Sequence, residues 1–310
     1  MATRTSGARR EEALWGWLLQ IPNIIGLLVF TAGPLVASLA LIFTHWEIIT
    51  PATFAGSDNI YRLFHDPLFV TALWNTLYVT VISVPLYMVL GLLLALALNQ
   101  NLRGIGIYRA IFFLPSQLPA VANAVLWLWL FNPDYGLMNW SLDLLHIPPS
   151  TWVQDPLMAK PALILMGAWG IGTGMIIYLA GLQGIPQALY EAAAIDGAGA
   201  WARFRSVTLP LLSPVIFFSL IVGIIATMQS GFTTTYLFTS TGHGAGADSG
   251  GPDNALLLLF LYIYHQGFVD FNMGYASLLA WVLCILILAL TLGNFLLARR
   301  WVYYEGQLRG

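Results

Sequence analysis

The stretch YEAAAIDGAGAWARFRSVTLPLLSP, residues 190–214, places Glu191, Asp196, Arg203 and Arg205 between two long apolar runs. This concentration of charge is unusual here, because only 8% of the residues in the chain are charged, whereas soluble domains average roughly 25%. Apolar residues make up 58% of the sequence. The composition predicts an integral membrane protein in which residues 190–214 are a polar interruption between membrane-spanning segments.

Six intervals of the sequence contain no Asp, Glu, Lys or Arg and are long enough to cross a bilayer. A helix needs about 20 apolar residues to span a hydrocarbon core of about 30 Å. The intervals are residues 13–44, 68–98, 110–131, 161–190, 207–247 and 271–298. We therefore predict an all-α integral membrane protein, a bundle of six transmembrane helices. The first interval is about twice as long as the apolar region of a signal peptide, so we interpret it as a retained span.

The orientation of the bundle follows from its basic residues, which accumulate on the cytoplasmic side of short loops. If the N-terminus is inside, ten of the twelve Lys and Arg residues are cytoplasmic, and only Arg62 and Lys160 are external. The ten are Arg4, Arg9, Arg10, Arg103, Arg109, Arg203, Arg205, Arg299, Arg300 and Arg309. We therefore predict that both termini and the charged stretch face the cytoplasm.

The domain organisation predicted on this basis is simple. A cytoplasmic tail at residues 1–13 precedes a single transmembrane domain at residues 14–310. The parts of that domain are a core at 68–298, a cytoplasmic loop at 184–208 and external loops at 45–67, 132–160 and 240–271.

The residues that the chain lacks exclude several classes of protein. None of the six intervals contains an acid or a base, which argues against a proton-coupled pump, because such pumps carry ionisable residues within the membrane. No metal-binding, nucleophilic or phosphate-binding motif occurs, so we expect neither a catalytic residue nor a metal site nor a cofactor bound by this chain. Nothing indicates a nucleic-acid partner. A sodium-coupled secondary transporter remains an open alternative.

The charged stretch is predicted to contain two short helices. Residues 188–195 have high helix propensity and follow Pro186, which suits the first turn of a helix. The Asp196-Gly197 pair indicates a turn, and Asp196 could also cap a second helix. Thr208 is predicted to cap the fifth span. A helix this short is marginal in water, so it must pack either on its own bundle or on another protein.

Three side chains of the second helix are predicted to share one face. Trp201, Phe204 and Arg205 are spaced at i, i+3 and i+4. Trp201 and Phe204 are expected to be exposed there.

The same stretch resembles the EAA signature of the membrane subunits of binding-protein-dependent ABC importers. Residues 112–139, 169–193 and 250–281 are similar to the carbohydrate-type, maltose-permease-like branch of that family. The chain departs from the branch by a Gly-rich insertion at 242–249 and by Leu278, where a small residue is commoner. The resemblance implies the permease fold of type I ABC importers, for sugars or polyols, in the cell membrane.

The resemblance also implies a role for the loop and a set of partners. Glu191 would be the charged contact to a cytoplasmic ATPase subunit, Ala192 and Ala193 would permit close approach, and Gly197 would be the bend. The other motif positions assigned to this coupling surface are Asp196, Ala198, Phe204 and Pro210. The implied partners are a second, related permease, two ATPase subunits that carry ATP and Mg, and an extracytoplasmic solute-binding protein. The chain itself would not be an enzyme.

Broken helices near the membrane midplane indicate where a solute could cross. Pro115 and Pro119 interrupt the third span and free backbone carbonyls there. The polar residues predicted along the path are Ser116, Gln117, Asn123, Thr173, Gln229 and Tyr236. Hydrogen bonding between helices explains such residues equally well.

Two further features bear on the solute. Trp127, Trp129 and Trp140 are expected in the aromatic belt at a membrane interface. Acids outnumber bases nine to two in the external loops, which favours a neutral solute. A permease for another solute, such as glycerol phosphate, remains an alternative, as does a membrane scaffold or enzyme that transports nothing.

Overall fold

The computed structural model describes residues 6–100, 102–240 and 250–303, and the Gly-rich insertion at 242–249 lies outside the described residues. Within these ranges the chain forms fifteen α-helices and one two-stranded antiparallel ladder, in which β1 (Thr44–His45) pairs with β2 (Thr53–Phe54). The helices are α1 Ser6–Leu27, α2 Gly33–Leu41, α3 Asp58–His65, α4 Pro67–Leu98, α5 Ile105–Phe113, α6 Ala120–Leu130, α7 Leu137–Leu144, α8 Ala159–Trp169, α9 Gly172–Gln183, α10 Gln187–Ile195, α11 Ala200–Arg203, α12 Leu209–Ser230, α13 Phe232–Ser240, α14 Leu259–Tyr264 and α15 Met273–Ala298.

Four helical runs in the described chain are long and apolar enough to cross a membrane: Glu11–Leu41, Pro67–Leu98, Ala200–Ser240 and Met273–Ala298. Two bent helix pairs, α5 with α6 and α8 with α9, raise the number to six if each pair is one span. Each of these six runs overlaps one of the six charge-free intervals of the sequence. The helical architecture predicted from charge and hydropathy is therefore confirmed.

The two bent pairs differ in whether the sequence explains the bend. The third span bends by 97° where a 3-10 turn at Leu114–Gln117 separates α5 from α6. Pro115 and Pro119 lack the N–H groups that would continue the helix, so the break predicted there is present. The fourth span bends by 47° between α8 and α9, at Gly170 and Ile171, which was not predicted from the sequence.

Helix α4 is held at both ends by polar side chains. The Asp66 carboxylate accepts hydrogen bonds from the backbone N–H groups of Leu68 (2.9 Å) and Phe69 (3.3 Å), as an N-cap does. At the other end, the Arg109 guanidinium donates to the Leu98 carbonyl over 2.8 Å. A cation at this position also interacts favourably with the negative end of the helix dipole.

The chain divides into two compact units, of which the first consists of Met1–His65 and Gln266–Trp281. Its polar centre is Asn59, a buried residue that donates to the carbonyls of Ile42 (2.8 Å) and Thr44 (3.0 Å). Here α1 begins at Ser6, so the first helix starts before the first charge-free interval. Its apolar side chains are exposed in the isolated chain, as expected of a helix that contacts lipid.

The second unit consists of Asp66–His265 and Val282–Gly310, and α4 lies at its centre. Helix α4 packs against α8, α9, α12 and α14, and α12 also packs against α9. One core, between α4, α9 and α12, has as its largest buried members Met175, Tyr178 and Leu212. A second core joins α6, α8 and α13 around Phe131, Met166 and Phe238.

Trp127 belongs to this second core, and its assignment to an interfacial aromatic belt is wrong. Its side chain is only 4% exposed, and its ring lies 4.9 Å from that of Phe131 and 5.9 Å from that of Trp169. The reason is helical spacing, because Trp127 shares one face of α6 with the buried Ala124. Trp129, on another face, remains 68% exposed.

Candidate functional site

Helix α10, in the predicted coupling loop, lies between two residues with special backbone geometry. Pro186 precedes its first turn, where the missing N–H removes no helical hydrogen bond. Gly197 follows its end with φ +77°, a left-handed conformation that favours glycine. The Ala198 N–H donates to the Ala193 carbonyl (2.9 Å) and the Gly197 N–H to the Ala194 carbonyl (3.1 Å), which is the Schellman pattern. The bend predicted at Gly197 is present.

The second half of the loop differs from the prediction. Asp196 does not cap a second helix, because it is the C-cap residue of α10. Thr208 does not cap the fifth span either, since it has helical φ −65° and ψ −55°. It lies inside a continuous helical run that leads from α11 through a π-helical turn at Phe204–Thr208, called the π-turn below, into α12. The Leu209 N–H donates to the Phe204 carbonyl, five residues back, just before Pro210, which has no N–H to donate. A widened turn thus replaces the expected helix boundary.

No residue of α10 is buried against the rest of the chain. Glu191 and Ala192 are exposed, Ala193 is half-buried, and Ile195 is 87% exposed. Isolated helices shorter than about 12 residues are marginal in water, and α10 has nine. An exposed apolar side chain at its end adds no stability to the isolated chain. This surface is therefore suited to contact with another molecule.

The aromatic face predicted after the bend is also present. The rings of Trp201 and Phe204 stack with centroids 5.4 Å apart, and Trp201 is 72% exposed while Phe204 is half-buried. Arg205 is exposed, and Ala198 and Pro210 are half-buried. The exposed surface formed by α10 and Trp201 is called the loop surface below.

A pocket of about 180 Å³, partly open to the surface and called the cavity below, lies in the second unit between α4, α9 and α12. Side chains with hydroxyl groups contribute to its wall: Tyr87, Thr173, Tyr178, Ser219 and Thr227. The other described residues that line it are apolar or glycine, and none is charged. Such a wall can hydrogen-bond a hydroxylated molecule and contact its C–H faces, but it offers no counter-charge to an ion.

An adjoining cavity of about 140 Å³ shares Tyr87, Gly167 and Thr227 with the first and adds the hydroxyls of Ser83 and Thr234. Together the two cavities reach the lower end of the range of about 300 to 1,000 Å³ found for small-molecule sites. Gly167 sets their shape, because a Cβ at this position would collide with the Tyr87 hydroxyl. That hydroxyl donates to the Ile164 carbonyl over 2.8 Å, which fixes the Tyr87 ring between the cavities.

Of the six polar residues predicted along the solute path, the structure places one, Thr173, in these cavities. Gln229 is exposed and lines neither cavity. Tyr236 is half-buried in an aromatic cluster, with its ring centroid 5.5 Å from those of Phe232 and Tyr264. The predicted residues therefore do not form a single site.

The polar residues at the break of the third span are engaged locally. The Ser116 hydroxyl donates to the Phe113 carbonyl (2.7 Å), and the Gln117 amide donates to the Ser116 hydroxyl (3.2 Å). Asn123 is different, because its side-chain oxygen is buried and has no hydrogen-bond partner within the described chain. This oxygen is therefore an unsatisfied buried acceptor near the break of the third span.

Sequence reasoning missed Tyr87, Tyr178, Ser219 and Thr227, which line the cavity with Thr173. Depth along each span was used to choose candidates, and depth does not say which face of a helix points inward. The available signal was the small residues Gly170, Gly174 and Gly223, since glycines on facing helices leave room for a cavity.

Metal binding has no support in the described part of the chain, where no group of three or more His, Cys, Asp or Glu side chains could hold an ion.

Apolar spans with breaks, a hydroxyl-lined cavity and an exposed short helix between two spans are features expected of a membrane transport subunit. The chain belongs to the family of binding-protein-dependent transport system inner membrane components, whose family model matches residues 87–302. It is therefore a permease subunit of an ABC importer, and the family predicted from residues 190–214 is confirmed.

Relatives match the chain almost from end to end. A probable ABC transporter permease protein of Bacillus subtilis is 37% identical over 99% of this chain and 97% of its own length. The lactose transport system permease protein of Rhizobium radiobacter is 37% identical, over 96% and 98% of the two chains. An sn-glycerol-3-phosphate transport system permease protein of Yersinia enterocolitica is 33% identical, over 93% and 95%.

A solved structure has the same fold. A chain of a bacterial ABC transporter involved in the import of the acidic polysaccharide alginate superposes with a TM-score of 0.78 and 25% identity, covering 94% of this chain and 96% of that one. The type I importer permease fold predicted from the sequence is thus confirmed.

Proposed function

We propose that this permease imports a neutral sugar or polyol and forms half of the translocation path. The proposed assembly contains a second, related permease, two cytoplasmic ATPase subunits and an extracytoplasmic solute-binding protein. ATP and Mg are bound by the ATPase subunits, and this chain supplies the path and the mechanical contact. Its proposed place is the cell membrane, with both termini in the cytoplasm.

The observation that carries the coupling role is that α10 has no buried residue. Between Pro186 and Gly197 the chain forms a short helix in which Tyr190 and Ala193 are half-buried and the other residues are exposed. Glu191 provides a charged side chain, and the small side chains of Ala192 and Ala193 allow close approach by the backbone of another protein. The loop surface is therefore proposed as the docking site of the ATPase, through which nucleotide-driven closure moves the spans.

The neutral solute is supported by the chemistry of the cavity wall. Five hydroxyl-bearing side chains and no charged residue line the cavity between α4, α9 and α12. An anionic solute would lose its hydration there without gaining a counter-charge, which is costly in a membrane interior. The relative named for lactose transport agrees with a sugar. The relative named for glycerol phosphate transport makes that anion the solute to test against it.

A proposed cytoplasmic position for the loop surface is supported by the basic residues around it. Arg203 and Arg205 lie just beyond the bend that ends α10, Arg103 lies in the turn between the second and third spans, and Arg109 lies in α5 at the start of the third span. Arginines concentrate on the cytoplasmic side of membrane proteins.

The test of the coupling role is charge reversal at Glu191. The chain is co-expressed with its second permease and ATPase subunits, and the complex is purified with parental Glu191 or with Glu191→Lys. We expect the amount of bound ATPase to fall by about tenfold or more, since disrupting a charge pair buried in an interface costs about 2 to 5 kcal/mol.

Glu47→Lys is the matched control, because Glu47 is an exposed acid in a predicted external loop. It should leave the bound ATPase at the parental amount. Equal amounts of ATPase with parental Glu191 and with Glu191→Lys would contradict the coupling role. Solute uptake driven by an ion gradient in the purified chain alone would instead support a secondary transporter.

A further inference from the structure

Helix α10 needs a mechanical connection to the spans, since none of its residues is buried. Its two covalent ends are bends, at Pro186 and at Gly197. A helix flanked by two bends can rotate about them when a bound partner moves, and the movement then does not reach the spans. A contact between the middle of α10 and a span would transmit a displacement of α10 to that span.

One side-chain contact in the described chain does this. The Tyr190 hydroxyl lies 3.0 Å from the Thr208 hydroxyl, and the two residues are 18 positions apart in sequence. Among the hydrogen bonds of residues 6–100, 102–240 and 250–303, it alone joins a side chain of α10 to the helical run that starts at Ala200. Tyr190 is half-buried and Thr208 is only 4% exposed, so water competes weakly for this bond.

The position of Thr208 makes the contact directional. Thr208 is the last residue of the π-turn and is followed without a break by α12. The same helix contributes Ser219 and Thr227 to the cavity wall. At 1.5 Å per residue these lie about 17 and 28 Å further along the helix. Displacement of Tyr190 would therefore act on the base of a helix that lines the cavity.

We propose that Tyr190 and Thr208 are positioning residues that form a latch, which transmits movement of the loop surface to α12. The proposal rests on the coupling role proposed above. The latch does not bind the ATPase. It determines how much of the ATPase motion reaches the cavity, and it gives the half-buried tyrosine before Glu191 a role distinct from docking.

The test measures the accessibility of a cysteine in the cavity wall, so the identity of the solute is not needed. Cys284, the single cysteine of the chain, is replaced by Ser, and Ala226 in the cavity wall is replaced by Cys as a reporter. The complete complex in lipid nanodiscs is treated with a cationic, water-soluble methanethiosulfonate reagent. The labelling rate is compared without nucleotide and after trapping with ATP, Mg and vanadate, and trapping is expected to change the parental rate.

Tyr190→Phe and Thr208→Val should each reduce that change roughly fivefold, the factor that corresponds to loss of one hydrogen bond worth about 1 kcal/mol. The double variant should be no worse than either single variant, because both remove the same bond. Thr208→Ser keeps the hydroxyl and should restore the parental response. A general packing defect would not follow this pattern.

Ser206→Ala is the matched control, since the Ser206 hydroxyl lies in the same π-turn but donates to the Ala202 carbonyl of its own helix (2.7 Å). A parental response in both Tyr190→Phe and Thr208→Val would overturn the latch while leaving the coupling role intact. Additive losses in the double variant would also overturn it. If the ATPase binds but trapping leaves the parental rate unchanged, the coupling role itself is overturned, and the latch with it.

Discussion

Replacing Gly197 by Ala isolates the conformational requirement of the coupling bend. Gly197 has φ +77°, and a Cβ at this position would meet no atom within 4 Å, so the substitution introduces strain without a clash. The left-handed conformation costs a non-glycine residue about 1 to 2 kcal/mol. The ratio of chains with the Schellman hydrogen bonds formed to chains with the end of α10 in another conformation should therefore fall by a factor of about 5 to 30. Docking of the ATPase should weaken by about the same factor, because no residue of α10 is buried and packing therefore contributes little to holding the bend.

The measurement is the dissociation constant of the ATPase for the purified permease pair, together with thermal unfolding of the permease. Gly199→Ala is the control, because Gly199 lies in the same loop with φ −68° and a Cβ there would likewise meet no atom within 4 Å. We expect weaker docking in Gly197→Ala only, an unchanged unfolding temperature in both, and partial recovery in Gly197→Asn, since Asn tolerates the left-handed region better than Ala. Equal affinities for Gly197→Ala and Gly199→Ala would refute this reasoning.

Two other predictions concern the cavity and the first unit. Thr227→Val should raise the apparent KM for the transported sugar by about fivefold, the effect of one lost hydrogen bond. Thr71→Val should leave the KM unchanged, because the Thr71 hydroxyl donates to the backbone of its own helix. Uptake assays in proteoliposomes measure both values, and equal KM values for the two variants would argue against the cavity as the solute site. Asn59→Ala should destabilise the first unit by about 2 kcal/mol, because one buried and one part-buried carbonyl lose their donor. Proteolysis of the segment around Asn59 would become faster, and an unchanged rate would contradict the expectation.

Charge and hydropathy were sufficient to predict the spans, because a bilayer excludes ionised groups regardless of how helices pack. The break of the third span was predictable as well, since Pro115 and Pro119 act through their own missing N–H groups. The bend at Gly197 also follows from local chemistry. These features depend on neighbouring residues in the sequence, and the sequence displays them directly.

The incorrect predictions from the sequence concern features that depend on tertiary packing. Thr208 followed by Leu209 and Pro210 has the composition of a helix start, yet the chain accommodates Pro210 by widening one turn and continuing the helix. Trp127 was assigned by its position along a span, whereas the face of α6 determines its burial. The cavity residues were missed for the same reason, because Ser219 and Thr227 are recognised only once α12 is placed against α4 and α9.

The central claim is that the loop surface faces the cytoplasm and contacts the ATPase. It is tested most directly by placing one cysteine at Ile195, which is 87% exposed, in the Cys284→Ser background. In inverted membrane vesicles, where the cytoplasmic face is outward, an impermeant maleimide should label this cysteine rapidly in the permease alone and slowly once the ATPase is bound. Labelling only in right-side-out vesicles, or the same rate with and without the ATPase, would contradict the account.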